Sequence, residues 1–198
     1  MIRIEILTVF LTMPLSVAIM QFISAPSESN CYVFVFIYFV VNCIRFFQGD
    51  VNVIEDLSGK QKEDIATSHN AFSFFVGIAA KFSFLLTAYH LNILTAFFAF
   101  NGLAYLFDIF WLFVLKRTID IEKPRGKELN DTFKRWLCLD VIEGIISLTM
   151  SIAIYKFSDD PNLKEYLEFG TIGVLSLLLL LDYLINQGHY FDRRQETA

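Results

Sequence analysis

Charge is scarce in this chain. Asp, Glu, Lys and Arg make up only 19% of its 198 residues, against about 25% in an ordinary soluble domain. Two stretches have none at all, 22 residues from Ile6 to Ser27 and 26 from Phe82 to Phe107. About 20 apolar residues cross a bilayer, so a soluble globular domain and a disordered chain are both excluded. The net charge of −5 removes the basic face that a nucleic-acid module needs. Cysteine is also sparse. Cys31, Cys43 and Cys138 form no CxxC pair, which excludes a disulfide framework and a thiolate zinc site.

Catalytic signatures are missing as well. There is no GxSxG elbow, no Walker loop and no Rossmann glycine pattern. Gly59-Lys60 lacks the preceding glycine of a phosphate loop. His69, His90 and His189 show neither HExxH nor HxxxH spacing, so a metal shared by His69, His189 and Asp182 has no support. The segments between apolar runs are too short for an enzyme domain. The expectation is a protein that is not an enzyme, with no catalytic residue, cofactor or metal.

What is present is apolar bulk. Hydrophobic residues make up 55% of the chain, 22 of them Phe, and the mean hydropathy is +0.51. The pattern predicts an all-α polytopic bundle of six membrane helices, a single membrane domain over 1–198. The spans fall near 3–24, 31–49, 70–90, 93–116, 133–156 and 166–189. The first apolar stretch is too long for a signal peptide's core and is read as a membrane helix. The run 70–116 must break, and His90-Leu91-Asn92 is its most polar point. Pro161 separates the last two spans. Leaving 133–189 outside the bilayer would expose Ile145–Ile154 and Leu177–Leu181 to water.

Orientation follows from Lys and Arg. Setting Lys81 aside, thirteen fall at the amino end, the second and fourth loops and the carboxyl end, and two at the opposite face. That asymmetry predicts both termini in the cytoplasm, with cytoplasmic loops at 50–70 and 117–132. Ser68 or Asn70 is expected to cap the third span, and Asn130, Asp131 or Thr132 the fifth.

Charges inside spans carry the chemistry, because each costs about 2.5–3.5 kcal/mol at the bilayer centre on the lenient insertion scale. Lys81, Asp108, Asp140, Glu143 and Asp182 lie inside spans, and Arg45 near a cytoplasmic helix end. Asp108 is eight residues before Lys116, so about 12 Å inside the boundary. The carboxylates of three helices thus reach similar depth. Helical spacing aligns Asn101, Tyr105 and Asp108 on the fourth span, and Asp182, Asn186 and His189 on the sixth, with Arg193 continuing the line. Asp140, Glu143, Ser147 and Ser151 share a side of the fifth, and Ser73, Gly77 and Lys81 a side of the third. Two readings stand open. One is an ion-pair cluster that fixes helix packing and registry. The other is a hydrated, net-negative vestibule on a cation or proton pathway.

Small residues recur at packing intervals: Ser73 and Gly77; Ala96, Ala99 and Gly102; Gly144 and Ser147; Gly170 and Gly173. Packing within the bundle is the expectation for them. The aromatics of the second span, Tyr32 to Phe47, and Trp111 and Trp136 read as lipid-facing bulk and interfacial anchors.

Four functions compete. The first is an oligomeric membrane subunit that anchors, senses for or regulates a cytosolic protein through its loops, with Lys123, Arg125 and Lys127 as contact candidates. The second is a cation channel built by a homo-oligomer around the intramembrane charges. A secondary transporter is third, since inverted repeats and broken midplane helices are wanting. A lipid-modifying enzyme is last. Richness in Phe, Ile and Asn suits an AT-rich gene of a mobile bacterial island, which suggests a bacterial inner membrane and a part in antiviral defence. The partners expected are the bilayer, further copies of the chain and a cytosolic protein, with no nucleic acid.

Overall fold

The computed structural model describes residues 2–24, 29–58, 68–117 and 124–191, with 2–10, 50–58, 68–77, 124–126, 128 and 191 described as backbone only. These residues form helices α1 (Ile2–Ser24), α2 (Tyr32–Ser58), α3 (Ser68–Tyr89), α4 (Leu94–Lys116), α5 (Pro124–Lys156), α6 (Pro161–Ile185) and the short α7 (Gln187–Phe191). Among the described residues there is no strand. Four helical stretches are long and apolar enough to cross a membrane: Tyr32–Gly49, Leu94–Lys116, Leu129–Lys156 and Pro161–Ile185. The described apolar parts of α1 and α3, Leu11–Ser24 and Ile78–Tyr89, are shorter.

The six long helices close into a ring. Neighbouring contacts run α1 to α3, α4, α5, α6, α2 and back to α1. α2 therefore lies between α1 and α6 in this ring and reaches α3 through side chains in the interior. Aromatic side chains fill the interior: Phe39 of α2 meets Phe84 of α3 and Phe97 of α4, and Phe46 meets Phe84 and Tyr105. Large apolar side chains point outward all round, among them Ile19, Phe34, Phe113, Ile145, Leu177 and Leu184. Apolar outside and charge inside is the arrangement compatible with a lipid solvent.

Turns form where local chemistry favours them. His90–Asn92 makes the tight α3–α4 turn, closed by Ile93 N–H donating to the His90 carbonyl at 2.9 Å. Asp160 caps α6 by accepting from Leu163 N–H at 3.1 Å, and Pro161 takes the first helical position. That cap starts α6 five residues ahead of the expected 166. α6 ends at Asn186, so the span expected to 189 is divided between α6 and α7.

α5 departs most from expectation. It begins at Pro124, so the loop expected at 117–132 is helical from 124 onward, and Asn130, Asp131 and Thr132 lie inside the helix and cap nothing. The cause is an apolar face at helical spacing. Leu129, Phe133 and Trp136 bury against Leu112 and Leu115 of α4 and Tyr190 of α7. Trp136 is therefore a core residue and not a lipid anchor. Tyr32, Tyr38, Phe39 and Phe46 are likewise buried, while Phe34 faces outward. The helix is 33 residues long, about 50 Å, well beyond an apolar core of about 30 Å.

Glycine sets the α4–α5 distance. A Cβ on Gly102 would stand 2.6 Å from Leu148 Cγ and 3.2 Å from the Gly144 carbonyl. One on Gly144 would stand 3.3 Å from Tyr105 Cβ. Gly170 and Gly173 differ: open space surrounds both, so they do not pack within the bundle as expected. Ser73 and the side of α3 around Gly77 lie outside the described side chains.

Candidate functional site

The close approach of α4 and α5 carries their polar faces to the ring interior, where α2 and α6 complete a buried ion cluster. Arg45 of α2 is its hub. Its Nε donates to Asp182 Oδ2 at 2.5 Å and its Nη2 to Asp140 Oδ1 at 3.0 Å. Its Nη1 stands 3.8 Å from Glu143 Oε2. The four side chains are at most 3% exposed. One planar guanidinium thereby joins three carboxylates on two helices, a task that suits its fork of donors. Asp182 is further held by Asn186 Nδ2 at 2.6 Å and by the Tyr190 hydroxyl at 2.7 Å. Buried Asp108 of α4 faces Asp140.

A second polar layer lies beside the first. Asn101 Nδ2 donates to Ser147 Oγ at 3.1 Å and to the Tyr38 hydroxyl at 3.4 Å. The Tyr38 and Tyr105 hydroxyls are 2.9 Å apart, and Tyr105 donates to Asn42 Oδ1 at 3.2 Å. All five residues are buried. Farther along α5, Ser151 Oγ donates to the Thr95 carbonyl at 2.8 Å. From Asp140 to Ser151 this polar edge of α5 runs eleven residues, about 16 Å.

Apolar cores close both ends. On one side stand Phe39, Phe84, Phe97 and Phe98. On the other, Trp136 is bracketed by Phe133, His189 and Tyr190, with its indole edge against Gly49 of α2 at 3.3 Å from that residue's Cβ position. The ring contacts of Tyr190 with Tyr183 extend this plug.

The residues singled out in the sequence separate into groups. Arg45, Asp108, Asp140, Glu143 and Asp182 converge, with Asn186 attached. Asn101 and Tyr105 form the adjoining layer. Lys81 extends over the rings of Phe46 and Trp111, its Nζ 5.3 and 5.9 Å from their centroids. His189 contacts Trp136 edge to face, with ring centroids 4.9 Å apart. Lys127 is exposed. Lys123 and Arg193 lie outside the described residues, and the side chains of Arg125 and His69 are not described. Among the described residues no group of three or more His, Cys, Asp or Glu is placed to hold a metal ion. Tyr38, Asn42 and Trp136 are site residues that the sequence analysis missed. Tyr38, Asn42 and Arg45 follow the same i, i+4, i+7 spacing as the other stripes, but the surrounding aromatics obscured it.

Comparison with protein-family models, curated proteins and solved structures returned no match to this chain.

Proposed function

We propose that the chain is a six-span membrane protein with both termini in the cytoplasm, and that it acts as a non-enzymatic membrane subunit which holds or regulates a cytosolic protein. The observation that carries this reading is the closed state of the ion cluster. Its charges are turned inward, paired around Arg45 and covered at both ends by aromatic side chains. A buried network of this kind fixes helix registry. A water-filled vestibule would instead leave its carboxylates accessible.

Function then falls to the surface. The first turns of α5 extend beyond the length an apolar core requires, and Lys127, Asp131, Lys134 and Arg135 are exposed on them. Lys134 Nζ engages Asp131 at 2.8 Å, an exposed pair worth little to stability. This mixed, predominantly basic helix end suits an acidic protein surface. Exposed Gly170 and Gly173 leave α6 a small-residue face on which copies of the chain can approach closely.

The test is co-purification from the native membrane. Replacing Lys127, Lys134 and Arg135 by Glu is expected to release a soluble partner while the bundle stays folded. Unchanged recovery of that partner would overturn the assignment of this surface.

A further inference from the structure

The ion cluster holds more negative charge than the described cations offset. Asp108, Asp140, Glu143 and Asp182 are four carboxyl groups, Arg45 is the hub cation, and Lys81 stands over the Phe46 and Trp111 rings. Counting both cations leaves two carboxyl groups in excess. An uncompensated ionised carboxylate in a dry interior is costly, and such a group is relieved by binding a proton.

Hydrogen bonding identifies which group does so. Asp182 accepts hydrogen bonds from Arg45, Asn186 and Tyr190. Asp140 accepts from Arg45 and is hydrogen-bonded to Asp108, so one of the two excess groups belongs to that pair. Glu143 is fully buried, yet among the described residues no donor makes a hydrogen bond to either of its oxygens. Its cation stands 3.8 Å away. Tyr105 faces it, its hydroxyl also lying 3.2 Å from Asn42 Oδ1 and 2.9 Å from the Tyr38 hydroxyl. With the Tyr105 proton directed to Asn42 Oδ1, the Tyr105 oxygen is free to accept, and a proton on the carboxyl group then completes a bond between them.

We infer that Glu143 is a proton-binding site, holding one exchangeable proton in the buried core between Arg45 and Tyr105. The groups around it are Arg45 on α2, Tyr105 and Asp108 on α4, Asp140 on α5, Asp182 on α6 and Tyr190 on α7, with Lys81 on α3. The proton lies behind the Trp136–Tyr190 plug, so its exchange with water requires that plug to open. The ligand is a proton and not a metal cation, in keeping with a cluster whose acidic groups are gathered on a guanidinium.

Infrared spectroscopy of the full chain in liposomes tests this, because the carbonyl stretch of a protonated carboxyl group is resolved from that of a carboxylate. At neutral pH the wild-type protein is expected to show a protonated-carboxyl band that moves when Glu is labelled with carbon-13. E143Q is expected to abolish it. If E143Q does not fold, E168Q takes its place and the labelled band is expected to survive there. Absence of a label-sensitive band in the wild type would overturn the inference, with Glu143 ionised and the Tyr105 phenol turned toward it. So would a band that persists in E143Q or vanishes in E168Q.

Discussion

Arg45 is the residue on which the interior depends. Burying an ion pair is itself close to break-even against an apolar alternative, but removing one partner leaves the other charges buried and unopposed. Three carboxylates stand within 4 Å of Arg45. Arg45→Gln is therefore expected to cost about 3–5 kcal/mol of stability, the range for breaking a buried pair. Arg45→Lys keeps the charge but loses the fork that reaches α5 and α6 together, so it should fall between the wild type and Arg45→Gln. Tyr190→Phe removes one donor from the Asp182 carboxyl group that Arg45 also engages, a loss of about 1.5–3 kcal/mol. Unfolding of detergent-solubilised protein by a denaturant checks the order: Arg45→Gln worst, then Arg45→Lys. Tyr190→Phe matching Arg45→Gln would contradict the role of Arg45 as hub.

Among the helices, the α4–α5 contact brings the site together. Gly102 and Gly144 let two backbones meet, which sets Tyr105 against Glu143 and Asp108 against Asp140. Gly102→Val is expected to overpack this crossing and cost about 1–3 kcal/mol. Gly173→Leu meets open space and should change stability by less than about 0.5 kcal/mol. On the proposed oligomer it should weaken self-association, measured by cross-linking in liposomes. The apolar middle of each helix was legible in the sequence because charge-free runs and polar breaks are local signals, but the extension of α2 to Ser58 and the start of α5 at Pro124 were not. So were the stripes of Asn101, Tyr105 and Asp108 and of Asp140 and Glu143, since helical spacing places them on one face without knowledge of a neighbour. What each face meets is not a local property. Trp136 reads as an anchor until Leu129 and Phe133 are seen to share its face. Tyr38 and Asn42 are hidden in a span with aromatic or aliphatic residues on every side. The ring order that puts α2 beside α6, and so Arg45 beside Asp182, depends on long-range packing that no segment encodes alone.

At the scale of the molecule, the described helices form a closed bundle: apolar outside, ionic inside, sealed by aromatic residues at both ends. The proposed role as a non-conducting membrane subunit depends on that closure. Cation flux across liposomes containing only this protein tests it most directly, with Asp140→Asn/Glu143→Gln as the comparison. The account predicts no flux above protein-free liposomes at any applied potential, for the wild type or the double variant. A cation flux in the wild type that the double variant suppresses would contradict it, and would make the buried carboxylates part of a conduction pathway.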